Sequence, residues 1–194
     1  FIYDANHFLT EIKDPLGRPA QRQEYDDDGR LTAITDATGQ RIEMEYDPTA
    51  QTQVVRDRRG NPVIYEYDNA GNVTRQTEFP TVNGIVKTIE TLRTYNADSQ
   101  LVSETLPNGM KTVFSYSAKG NLLTRVIDSE GLQISETFTY DGASRVLTST
   151  DAKGSVITNA YDSKGRLVSK TARTGEITAY EYDGNGNRTR VIDP

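Results

Sequence analysis

Twenty-eight carboxylates and a single histidine are the residues of this 194-residue chain whose types suit catalysis. Two carboxyl groups about 5–9 Å apart can hydrolyse a glycosidic bond, one acting as acid and the other as nucleophile or base. Here the carboxylates fall at regular turn positions, which accounts for them without any chemistry. His7 is the only imidazole, so a Ser-His-Asp triad would have to be built around it, and no zinc site can use two histidines. It stands where other copies of a repeated segment carry a turn glycine, and a turn residue with an unusual backbone is the simpler account. Asp26-Asp27-Asp28-Gly29 and Asp183-Gly184-Asn185-Gly186-Asn187 offer oxygens to Ca²⁺, yet neither completes the D-x-[DN]-x-[DN]-G-x₅-E loop. Gly184-x-Gly186 lacks the third glycine and following helix of a dinucleotide fingerprint, and no phosphate-cradling G-x-x-x-x-G-K-[ST] occurs. The expectation is no catalytic residue, no metal and no cofactor.

The elements that hold these groups form a repeat. Tyrosines recur at Tyr3, Tyr25, Tyr46, Tyr67, Tyr95, Tyr116, Tyr140, Tyr161 and Tyr182, with gaps of 22, 21, 21, 28, 21, 24, 21 and 21 residues. A fixed period of this size is the signature of a repeat architecture. Each copy reads Y-D-x-x-G-[NR]-[LV]-[TV], then a polar or β-branched stretch, then a second turn such as Asp57-Arg58-Arg59-Gly60. Aspartate at the first position of such a turn caps its own backbone and glycine at the last tolerates positive φ. Gly29, Gly71, Gly120, Gly165 and Gly186 match the turn glycine, whereas His7, Ala50, Ser99 and Ser144 depart from it. Tyr65 and Tyr180 are the only tyrosines outside the series, each two residues before an anchor and therefore on its face of an extended strand.

Two turns per period imply two strands per period. Ile42, Met44 and Tyr46 alternate with Arg41, Glu43 and Glu45, the pattern of a half-buried strand, and no window carries a helical period. Strands joined by such short turns pair as an antiparallel meander. The tyrosines then line one face as an aromatic ladder, with cross-strand pairs contributing about 0.2–1 kcal/mol each. Phe79-Pro80-Thr81-Val82-Asn83-Gly84, in the 28-residue gap, predicts a longer hairpin loop, and Leu106-Pro107-Asn108-Gly109 a hairpin turn. The 24-residue gap after Tyr116 predicts a bulge or protruding hairpin.

The net charge of −6 and pI near 4.9 speak against nucleic acid or an anionic membrane as partner, because phosphate binding needs clustered Lys and Arg. No apolar stretch approaches the roughly 20 residues of a membrane-spanning helix, and no signal peptide is visible. Absence of cysteine excludes disulfides without fixing the compartment. The array begins and stops inside a unit with no capping repeat, as expected of a piece of a longer array.

The Tyr-Asp dipeptides at Tyr25, Tyr46, Tyr67, Tyr140, Tyr161 and Tyr182, the glycine turns and the 21-residue spacing resemble the RHS/YD-repeat family, whose relatives include teneurins and the B and C components of insecticidal toxin complexes. The resemblance covers residues 1–194 as one array of about nine units. It implies an all-β antiparallel hairpin ribbon curving into part of a spiral shell, which a twist of about 20–25° per strand also favours. It further implies a non-catalytic wall around a toxin or effector polypeptide, in a secreted or cell-surface bacterial protein whose export signal lies elsewhere. Asp14-Pro15-Leu16-Gly17 superficially resembles part of the family's self-cleavage motif, but it fills an ordinary second-turn slot and more repeats follow. The alternative is a carbohydrate- or protein-binding module, with Tyr65 and Tyr180 as sugar-stacking candidates. Exposed edge strands should favour edge-to-edge self-association.

Overall fold

The computed structural model describes all of residues 1–194. It contains no helix and twenty strands, distributed over two compact units, Phe1–Tyr95 and Asn96–Pro194. In the first unit lie β1 (Ile2–Tyr3), β2 (Leu9–Lys13), β3 (Pro19–Tyr25), β4 (Leu31–Asp36), β5 (Arg41–Asp47), β6 (Thr52–Arg56), β7 (Pro62–Tyr67), β8 (Val73–Glu78), β9 (Thr81–Val82), β10 (Ile85–Val86) and β11 (Ile89–Tyr95). The second holds β12 (Leu101–Thr105), β13 (Lys111–Tyr116), β14 (Leu122–Ile127), β15 (Ile134–Tyr140), β16 (Val146–Thr150), β17 (Val156–Tyr161), β18 (Leu167–Thr171), β19 (Ile177–Tyr182) and β20 (Arg188–Ile192). Within each unit successive strands pair antiparallel, except that β8 pairs directly with β11 and β9–β10 stands apart as its own hairpin.

One turn builds almost every connection. At Asp68 the backbone N–H donates to the Asn72 carbonyl at 2.9 Å, and the Gly71 N–H donates to the Asp68 carbonyl at 3.0 Å. The Asp68 carboxylate Oδ1 accepts the N–H groups of Ala70 and Asn72, both at 2.9 Å. Gly71 has φ +83°, so this is a three-residue hairpin loop ending in a left-handed residue, the conformation that selects glycine. The second turns, at Asp14, Asp36, Asp57 and Asp151, repeat the same bonds. Where the sequence departs from glycine, His7, Ser99 and Ser144 adopt the left-handed conformation regardless, with φ of 65°, 59° and 63°. Ala50 does not. The loop there runs one residue further, and Gln51 takes the positive φ instead.

The long gap after Tyr67 is the hairpin β9–β10, turned through Asn83 and Gly84, both at positive φ. The 24-residue gap is neither a bulge nor a protruding hairpin. Its extra residues form a wide loop, 128–133, in which Asp128 and Gln133 have positive φ and the Asp128 carbonyl accepts both the Gly131 and Gln133 N–H groups. The flanking ladder from Ile127↔Ile134 to Thr124↔Thr137 is regular.

Only Ala33 and Thr77 are buried, and no large side chain is fully enclosed. Both lie on the face opposite the tyrosines, Ala33 between Glu24 and Glu43 and Thr77 beside Ile64, so each face is only partly covered. In β3, Gln21, Gln23 and Tyr25 are half-buried while Arg22 and Glu24 are exposed. On the face opposite the tyrosines in the first unit, ion pairs Glu11–Arg22, Glu24–Arg41 and Glu66–Arg75 run between strands. On that of the second, the ion pair Glu181–Arg190 is accompanied by hydroxyl contacts, Ser115 with Thr124 and Thr139 with Thr148, each at 2.6 Å.

Candidate functional site

The anchor tyrosines are the most regular chemical feature of the chain, and their surroundings are the same from copy to copy. At Tyr3, Tyr25, Tyr67, Tyr116, Tyr140, Tyr161 and Tyr182 the ladder slips by one residue, so that two residues of the next strand oppose one tyrosine. A bulge of this kind bends its strand and sharpens the local twist. The strands that bracket each second turn consequently pair only near that turn. The pairing of β12 with β13, for example, ends at Ser103↔Val113.

Beyond the last ladder pair the strands separate, and the tyrosine hydroxyl fills the gap. It donates to the carbonyl of the sixth residue after the preceding anchor: Tyr25 to Leu9 at 3.0 Å, Tyr95 to Val73 at 3.0 Å, Tyr116 to Leu101 at 2.8 Å, Tyr140 to Leu122 at 2.8 Å, Tyr161 to Val146 at 3.1 Å and Tyr182 to Leu167 at 2.8 Å. The bond supplies a donor to a backbone acceptor that has left the ladder, which is why tyrosine and not phenylalanine recurs.

The exception follows the irregular Asp47–Gln51 loop. No bulge forms at Tyr46, and β6 stays paired with β7 along its whole length to Thr52↔Glu66, with the Tyr67 N–H donating to the Gln51 carbonyl at 2.9 Å. Tyr67 has no open carbonyl to clamp and donates to Gln53 Oε1 at 2.6 Å. Burial, with Tyr46 and Tyr65 beside it, pushes the Tyr67 hydroxyl above its ordinary value.

The anchors recur on every second strand, so they do not stack ring on ring. They sit on alternate strands, about 9.5 Å apart at a strand spacing of about 4.8 Å. In three copies the fifth residue after the preceding anchor fills the space instead. Phe8 stacks on Tyr25 with centroids 4.9 Å apart, Arg145 lies 4.8 Å over Tyr161, and Arg166 lies 4.8 Å over Tyr182. The same arginines are held by the turn aspartates, Arg145 Nε by Asp141 at 2.6 Å and Arg166 Nε by Asp162 at 2.7 Å. A Cβ added at Gly29 would stand 2.5 Å from the Phe8 ring, and one at Gly165 2.7 Å from Arg145. At Gly29 and Gly165 the glycine is therefore selected twice, by its φ and by the side chain laid over it, whereas Gly71 and Gly186 have open space there. The [NR] position was visible in the repeat pattern; its role as a lid over the next tyrosine was not.

The turn carboxylates are spent in the same way. Bonding from the Asn72 side chain and backbone holds Asp68 below the usual carboxylate range, and the Arg166 backbone N–H does the same for Asp162. The structure separates the two sugar-stacking candidates. Tyr180, in the second unit, has Arg188 5.7 Å over its ring. Tyr65, in the first, lies in a cross-strand row Tyr46↔Gln53↔Tyr65↔Gln76, and Tyr46 in that row is 37% exposed.

These features define a class: a β-repeat protein in which most hairpins are sealed to the next by a tyrosine hydroxyl and a turn built on an aspartate and a left-handed residue, usually glycine. The RHS Repeat family matches residues 25–49, 95–133 and 161–194, just over half of the chain, and the chain belongs to that family. No curated relative matches it. Among solved structures, the Tc holotoxin pore of Photorhabdus luminescens, carrying a TccC3 mutation, is similar over 89% of this chain and 10% of its own, at 21% identity and a TM-score of 0.72. A TcdB2–TccC3 crystal structure gives 22% identity, the same coverage and a TM-score of 0.72. TcdB2–TccC3–Cdc42 gives 15% identity, 99% and 14% coverage, and a TM-score of 0.59. The likeness is one of fold, and the chain spans about a tenth of those solved chains.

Proposed function

We propose that this chain is a non-catalytic wall segment of an RHS-type shell, and that its role is to contain a toxin or effector polypeptide in a secreted or cell-surface bacterial protein. The observation that carries this reading is how the recurring polar groups are used. The clamping hydroxyls each reach a backbone carbonyl, and the turn carboxylates cap backbone N–H groups, so the groups that make the pattern are engaged in holding strand to strand. Family membership and the fold shared with Tc toxin components support the same reading. The remaining wall of such a shell and its cargo are then the partners, and residues 1–194 act as one array.

Limited proteolysis combined with thermal melting against a panel of sugars, nucleotides and metal ions tests this. Protease-resistant β-rich material whose Tm does not respond to any of them is the expected result. A clear ligand-induced rise in Tm, or hydrolysis lost on changing one carboxylate, counts against it.

The row Tyr46, Gln53, Tyr65 and Gln76 favours a second reading, a module for a glycan or a cell-surface protein, because it alternates aromatic rings and amides on one face. A reproducible glycan-array signal lost in Tyr65→Ala would favour it over containment.

A further inference from the structure

Asparagine is followed by glycine at three places, Asn83-Gly84, Asn108-Gly109 and Asn185-Gly186. Such a pair can react within its own backbone. The glycine nitrogen, with no Cβ beside it to restrict its approach, attacks the asparagine Cγ and expels ammonia. Water then opens the succinimide to aspartate or to its β-linked isomer. In a folded chain the rate depends on whether that nitrogen is free and whether the backbone can rotate to bring it to Cγ.

The three pairs differ on both counts. The Gly109 N–H donates to the Leu106 carbonyl at 2.8 Å, and Asn108 Oδ1 accepts the Met110 N–H at 3.0 Å, so nitrogen and carboxamide are both engaged. The Gly186 N–H donates to the Asp183 carbonyl at 3.2 Å. These two turns also close the paired strands β12–β13 and β19–β20. Asn83-Gly84 has neither restraint. No protein group bonds the Gly84 N–H or the Asn83 carboxamide, both residues are exposed, and the space beside the Gly84 Cα is open. They form the turn of β9–β10, whose strands pair only with each other through Val82↔Ile85 and Thr81↔Val86. A two-stranded hairpin of this kind is marginal in water, so it opens locally at little cost.

We infer that Asn83 is a site of spontaneous modification, converting through a succinimide to aspartate and isoaspartate ahead of Asn108 and Asn185. The bond from Gly84 N to Asn83 Cγ forms, the Cγ–Nδ2 bond breaks, and the Gly84 N–H proton leaves with the ammonia. Water is the only co-reactant, and no electron is gained or lost. The product carries a new negative charge at the hairpin tip. Isoaspartate also adds a methylene to the backbone, which lengthens a two-residue turn that has positive φ at both positions, 53° and 78°. The site stands independently of whether the strip encloses a cargo.

The test incubates the folded 194-residue chain in mildly alkaline buffer and follows each asparagine by peptide mapping and mass spectrometry, with isoaspartate resolved from aspartate by retention time. Asn83 should convert about tenfold faster than Asn108 and Asn185, the margin set by the hydrogen bonds that must break to free their glycine nitrogens. In denaturant the three rates should converge. A crosslink tests the role of hairpin opening. The Lys87 N–H donates to the Pro80 carbonyl at 2.9 Å, so by alternation Thr81 and Val86 form a non-bonded pair whose Cα atoms, about 4.5 Å apart, suit a disulfide. The chain has no cysteine of its own, so Thr81→Cys with Val86→Cys leaves one possible bridge. The oxidised variant should convert Asn83 several-fold more slowly, and reduction should restore the rate. The inference is overturned if Asn108 or Asn185 converts as fast as Asn83 in the folded chain, if the same margin persists in denaturant, or if the bridge leaves the Asn83 rate unchanged.

Discussion

A single hydroxyl decides whether an anchor position must be tyrosine. Tyr140→Phe keeps the ring and removes only the donor to the Leu122 carbonyl, so it should cost about 1 kcal/mol by chemical denaturation. Tyr46→Phe, where no such clamp forms, should be close to neutral. Equal losses at the two positions would show that the ring alone carries the repeat. The turn aspartates make a second residue-scale prediction. Asn96 already replaces the acid in one copy, and its Oδ1 accepts the Asp98 and Gln100 N–H groups at 3.0 and 2.9 Å. Asp68→Asn should accordingly retain the turn, and Asp68→Ala should lower Tm clearly further, as a pair of thermal melts will show.

At the scale of the element, the first-turn glycines Gly29 and Gly165 carry two separable demands. Gly17 and Gly29 share a φ of +80°, yet Gly17 has open space where a Cβ would go and Gly29 has the Phe8 ring. Alanine at either position meets the left-handed penalty of about 1–2 kcal/mol. Gly29→Ala should cost about 1 kcal/mol more, because the ring above it is held against Tyr25 and must move. Most of this element was legible from the chain: the turns, the alternating strands and the long hairpin of the 28-residue gap all follow from spacing and turn chemistry. The bulge at the anchors was not, because a two-on-one pairing leaves no mark in a period-two pattern of mixed polar residues such as Leu31-Thr32-Ala33. Nor was the tyrosine clamp, since its acceptor is a backbone carbonyl and carries no residue signature. Ala50 showed that a copy was irregular, but not that β6 and β7 would zip completely. Hydrogen exchange should find the Tyr67 amide among the slowest of the first unit.

For the molecule as a whole, stability rests on many small, similar contributions in sheets with almost no buried core. Asp57, Asp68, Asp141, Asp162 and Asp183 are all held below the ordinary carboxylate value by turn hydrogen bonds. Their folded pKa values are thus lower than their unfolded ones. The stability they confer is present above the unfolded value of about 3.9 and is lost as pH falls through the folded values. Tm should be level from pH 7 to about 5 and fall progressively below about pH 4, and a Tm rising on acidification would contradict this. The unpaired outer edges of β1 and β20 should also make association of the chain concentration-dependent, which light scattering would reveal as a mass above the monomer.

Changing Tyr25, Tyr95, Tyr116, Tyr140, Tyr161 and Tyr182 together to phenylalanine removes all six clamping hydroxyls and leaves every ring in place. The clamps lie in separate hairpins, so their losses should roughly add. Against a total of about 5–15 kcal/mol for a folded domain, the sum of about 1 kcal/mol each should leave the chain largely unfolded or near its threshold by urea titration. A variant that unfolds at the wild-type urea concentration would show that the tyrosines do not hold the strands together, and the structural account of the repeat would fall with it.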